Sequence, residues 1–146
     1  MENMLIVVAK WILMLYIIHA CSVILHEMGH VIASVIFHLQ IDKVCIGNTK
    51  IGLKVKKFWV SPIVLHGCVE IVYNKHIIKN KSLVMFFLAG PLVNLIVIVI
   101  GILTKSTDMC IIYIIVINVI HFLGSICPWK LESDVALLIK ELRQLK

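Results

Sequence analysis

Apolar residues run almost unbroken from Met4 to His38, interrupted by Lys10 and by one short polar motif, His26-Glu27-Met28-Gly29-His30. At 1.5 Å per residue this run makes a helix of roughly 50 Å, enough to cross a bilayer once with tilt and overhang, but not twice. A second apolar run spans about Leu83 to Leu103. A third starts at Met109 and reaches a spanning length by continuing through Leu123 to Ile126. The pattern predicts an all-α integral membrane protein, a single domain over 1–146 with transmembrane helices at about 4–38, 83–103 and 109–126.

The segment 39–82 is the one sizeable polar stretch. Ile51 to Val60 alternates in part, Cys68 to Tyr73 reads as a second strand, and Gly47, Asn48, Gly52, Pro62 and Gly67 punctuate the segment. A small interfacial β-hairpin is expected there, lying at the membrane surface or packed on helices over the site, because an open sheet edge cannot face lipid. After Pro128 a last helix begins at about residue 134, capped by Ser133 or Asp134, with Leu137, Leu138, Leu142 and Leu145 along it.

Composition settles the class. With 61% apolar residues and a mean hydropathy of +1.04, the chain lies far outside the range of a soluble domain. The first apolar run shows no signal-peptide cleavage pattern and is read as a retained span. Five cysteines, scattered and without a C-x-x-C pair, indicate neither a disulfide framework nor a cysteine metal site.

The net charge of +6 does not point to nucleic acid, because of where it falls. Eight lysines from Lys43 to Lys81 and four basic residues from Lys130 onward leave only Lys10 and Lys105 elsewhere. By the positive-inside rule the N-terminus is outside and the C-terminus cytoplasmic, with the basic excess drawn to anionic headgroups. The Lys- and Ile-rich composition fits a bacterial cell membrane of low-GC origin. Expected partners are the bilayer and a membrane-embedded substrate, with a homo-oligomer or a regulatory membrane partner left open.

Within this frame the polar motif is the main chemical signal. Positions i and i+4 share a helix face, so His26 and His30 offer two imidazoles to one metal ion, with Glu27 beside them as a base. Ionisable groups at membrane depth are costly and mark function by default. Catalytic zinc takes three protein ligands and keeps a position for water. The third ligand lies after the last span: Asp134 folded back, or Glu132, with a plain helix cap as the competing role for Asp134. Asn94, in Ala89-Gly90-Pro91-Leu92-Val93-Asn94, is either interhelical glue or a group that orients substrate or a ligand. His19 lies two turns before His26 on the same face, and His121 lies near Asn118.

In the order HEMGH, a basic hairpin ending His66-Gly67-Cys68-Val69, Ala89 to Asn94, and Pro128 followed by Asp134, the chain resembles the site-2 protease family, the intramembrane zinc metalloproteases of peptidase family M50. The resemblance implies a three-span catalytic core with Zn2+ held by His26, His30 and Asp134 and with Glu27 as general base. It implies cleavage of transmembrane or signal-peptide segments, near the cytoplasmic side since His30 is about two turns from the basic end of its span. The hairpin edge would hold unwound substrate by strand addition. Two positions depart from the family pattern: Ser125 stands where relatives carry Asn, and Val135 follows Asp134 where they carry Gly. Asn118 is a candidate to stand in for the missing amide. The alternative is a catalytically degenerate membrane protein of the same fold that binds client segments or a partner without cutting. A transporter is disfavoured by the lack of an inverted repeat.

Overall fold

The computed structural model describes residues 4–47, 51–72, 80–130 and 133–144. The expectations that fall on Glu132, Tyr73 and Leu145 lie outside these residues. In chain order the elements are α1 (Met4–Ile36), β1 (Ile41–Ile46), β2 (Leu53–Val55), β3 (Phe58–Val60), β4 (Gly67–Ile71), α2 (Asn80–Leu103), α3 (Met109–Ile126) and α4 (Asp134–Gln144). Helices α1, α2 and α3 are each long and apolar enough to cross a membrane.

The buried positions of α1 are Ser22, Val23, His26, Glu27, Gly29, His30, Ala33 and Ser34, which recur every three to four residues as one stripe. Its first half is exposed apolar surface suited to lipid. Helix α2 lies directly on the stripe. A Cβ on Gly29 would come within 2.7 Å of the Ala89 carbonyl oxygen, so the two backbones touch there. Helix α3 is capped by Asp108, whose side chain accepts from the Cys110 amide at 2.7 Å. It is tied to α1 by Ser22, which donates to Asn118 Oδ1 at 2.9 Å, while Asn118 Nδ2 donates to the Ile114 carbonyl at 2.8 Å.

The expected hairpin is a four-stranded mixed sheet, in the order β2-β3-β1-β4, so the chain is mostly helical rather than all-α. β2 and β3 pair antiparallel, β1 and β3 run parallel, and β1 and β4 pair antiparallel with a register shift between Ile41 and Lys43. β1 was not expected. Its six residues follow a helix end and alternate too briefly to announce a strand, and only partners distant in sequence make it one.

The segment that joins β3 to β4 is pinned along α1. Tyr16 Oη donates to the Pro62 carbonyl at 2.5 Å and accepts from the Val64 amide at 2.9 Å, and His19 Nε2 lies 3.2 Å from the Leu65 carbonyl. Tyr16 is about 30 Å along the helix axis from Ile36. The sheet and this connecting segment therefore run beside α1 from about Tyr16 onward, with edge strand β4 nearest that helix.

Candidate metal centre

One face of α1 carries His26 and His30 a turn apart, and each ring is held from behind. His30 Nδ1 lies 2.8 Å from the Phe86 carbonyl and donates to it, which fixes the tautomer and turns the Nε2 lone pair inward. His26 Nδ1 lies 3.0 Å from the amide of Asn94, a fully buried residue whose Oδ1 has no other partner among the described residues. A half-turn of that amide sets Oδ1 on the His26 Nδ1–H and frees His26 Nε2 as a second inward donor. The two Nε2 atoms are 3.2 Å apart.

The third group arrives from α4. Ser133 makes the cap: its Oγ accepts from the Ala136 amide at 3.2 Å and donates to the Cys127 carbonyl at 2.5 Å. Asp134, the first helical residue, is thereby free to point back. Its Oδ2 is 3.2 Å from His26 Nε2 and its Oδ1 is 3.4 Å from His30 Nε2. Burial raises the Asp134 carboxyl, but hydrogen bonding and the charge of the two histidines outweigh it and hold the group well below the usual carboxylate range.

These residues fit a zinc ion. Ligand atoms about 2.0–2.1 Å from one tetrahedral centre lie roughly 3.3 Å apart; the two Nε2 atoms are 3.2 Å apart, and each has one of the two Asp134 oxygens at 3.2 or 3.4 Å. Two imidazoles and a carboxylate are a usual catalytic zinc set that leaves a position for water. Gly90 supplies the space. A Cβ there would touch His30 Nε2 and stand 2.6 Å from His26 Nε2.

Glu27 sits beside the three, buried, with Oε2 unpartnered among the described residues. Gly67, the first residue of β4, lies against it, since a Cβ at that position would come within 2.7 Å of Glu27 Oε1. The outer groups stand elsewhere. Asn118 spends its amide on hydrogen bonds to Ser22 of α1 and to the Ile114 carbonyl of its own helix. Ser125 lies in the last turn of α3 with no hydroxyl partner among the described residues. His19 and His121 pair with each other at 3.3 Å, outside the ligand cluster.

Some contributors left no sequence signal. The Phe86 carbonyl is backbone, Gly67 reads as turn punctuation, and Tyr16 reads as one more membrane aromatic.

A family model described as peptidase family M50 matches residues 12–127, a stretch that includes His26, Glu27, His30 and Asn94 and stops before Asp134. No curated protein matches the chain. The family match covers well over half of the sequence and includes the helix segment that carries the paired histidines, so this membrane chain belongs to peptidase family M50 and is a metallopeptidase by family.

Proposed function

We propose that the chain is an intramembrane zinc metalloprotease, hydrolysing peptide bonds in transmembrane or signal-peptide segments near the cytoplasmic side. The observation that carries this reading is the placement of Glu27. A buried carboxylate with an unpartnered oxygen lies between a three-donor metal cluster and the edge strand of a sheet.

His26, His30 and Asp134 would hold the ion, and Asn94 and the Phe86 carbonyl orient the two rings. Zinc, when bound, supplies Lewis acidity towards the scissile carbonyl and makes a water acidic near neutral pH. Glu27 takes the proton of the attacking water on its carboxylate and returns it to the leaving amine. Strand β4 orients the substrate. Residues 66, 68 and 70 turn their backbone groups to β1, so Gly67 and Val69 direct theirs outward, unpaired among the described residues. An unwound membrane segment added along that edge passes beside Glu27.

The test is zinc content by mass spectrometry beside cleavage of a panel of signal peptides and spanning segments. About one zinc per chain is expected in wild type and in Glu27→Gln, with cleavage abolished in the latter. Asp134→Ala should hold zinc at least tenfold more weakly, whereas Glu132→Ala should not. Loss of zinc in Glu27→Gln would make Glu27 a ligand. Zinc-loaded wild type that binds the segments without cutting them would favour the non-catalytic reading, to which the departures at Ser125 and Val135 point.

A further inference from the structure

The β2–β3 ribbon is two-faced. Leu53, Val55, Phe58 and Val60 are 50% to 78% exposed, and the strand pairing sets Leu53 beside Val60 and Val55 beside Phe58, so they share one face. The other face carries Lys54 beside Trp59, with Lys57 in the turn and Lys43 alongside on β1. Together with Lys56 and Phe58 these residues line an open cavity of about 360 Å3. Lys43 is paired with Glu70 at 3.5 Å. Lys54 and Lys56 have no anionic partner among the described residues, and Asp42 is the one carboxylate lining the cavity. Lys57 Nζ donates to the Ile41 carbonyl at 2.6 Å, which fixes the basic end of the ribbon just past the end of α1.

An apolar face with a basic rim, level with the end of a spanning helix, is the pattern of an element seated where acyl chains meet headgroups. We propose that Lys43, Lys54, Lys56, Lys57 and Trp59 form a binding site for the phosphate of an anionic phospholipid, whose chains cover the Leu53–Val60 face. Charge complementarity and the exposed apolar face together select a lipid over a soluble phosphate, because Phe58 both lines the cavity and belongs to the apolar face, so the two meet there. The turn gives the site a test. Lys56 holds φ of 54°, a left-handed conformation that Asn or Gly adopts with less strain, so Lys56→Asn removes the charge while it suits the backbone. A phospholipid at this site steadies the sheet whose other edge lies against Glu27.

The experiment uses the full chain, purified with an equimolar mixture of phosphatidylglycerol and phosphatidylcholine, and reads the ratio of retained lipids by native mass spectrometry. Wild type should retain the anionic lipid preferentially. Lys54→Gln with Lys56→Gln should lower that preference by a factor of about 25, roughly fivefold per lysine. Lys140→Gln with Arg143→Gln, the same charge loss on α4, should change it less than about twofold. Lys56→Asn alone should lower the preference about fivefold while thermal stability holds or rises, which separates lipid binding from folding. An equal drop in both double variants would reduce the site to diffuse charge, and an unchanged ratio in Lys56→Asn would remove it. Loss of the preference on adding 10 mM inorganic phosphate, a concentration of about the usual assay order, would replace the lipid with a soluble phosphate ligand.

Discussion

Space matters as much as ligands around His26 and His30. Gly90 faces both Nε2 atoms so closely that one added methyl group would push the imidazoles off their positions or fill the place between them. Gly90→Ala should therefore lower zinc affinity at least about tenfold, the scale on which disturbed ligand orientation acts. Helical circular dichroism should be unchanged, since alanine favours the helix by up to about 1 kcal/mol over glycine. Unchanged zinc binding would place the metal elsewhere. Cys68 makes a second prediction at this scale. Burial first, then the Cys45 thiol and the Glu70 and Glu27 carboxylates, push its thiol up to about 12. The reactive thiolate is thus scarce at pH 8, and alkylation of Cys68 should be slower than that of a free thiol by about three orders of magnitude. Its rate should keep rising about tenfold per unit up to pH 11, and a plateau near pH 9 would contradict the assigned environment.

Elements act here by what they hold in place. Helix α4 delivers Asp134 because Ser133, the residue before it, takes over the capping. The segment between β3 and β4 is a strap tied to α1 by both hydrogen bonds of Tyr16. Tyr16→Phe removes those bonds, worth about 1 kcal/mol each, and leaves every metal donor untouched. If strand β4 holds substrate next to Glu27, the variant should keep its zinc and show KM raised several-fold, with a smaller change in kcat. An unchanged KM would make the strap structural only.

Across the whole molecule the metal cluster joins three helices, and it is where α1 and α4 come together. His26 and His30 belong to α1, their supports Asn94 and Phe86 to α2, and Asp134 to α4. Zinc at about a hundred times its dissociation constant would stabilise the folded chain by about 2.7 kcal/mol. Chelation should accordingly lower Tm by about 5–10 °C at this chain length. Asp134→Ala should melt at the same temperature with or without chelator. A chelator effect of equal size in that variant would detach Asp134 from the metal.

Whatever depends on neighbours a turn or a span apart was legible in the residues. The spacing of His26, Glu27 and His30 puts two imidazoles and a carboxylate at one level of a helix, and uninterrupted apolar length marks α1, α2 and α3, because helical periodicity and hydrocarbon thickness are local constraints. The Ala89 to Asn94 stretch announced a close helix contact and offered Asn94 as interhelical glue or as a group that orients substrate or a ligand, although not which of these, nor that Gly90 would face both rings. Meetings across the fold were not legible. The choice between Ser133 and Asp134 as cap, the strand at Ile41–Ile46, the edge position of β4 and the approach of Gly67 to Glu27 all rest on contacts between distant segments. Such contacts are chosen by packing and by the need to pair buried backbone, and a short stretch of alternating residues does not encode its partner.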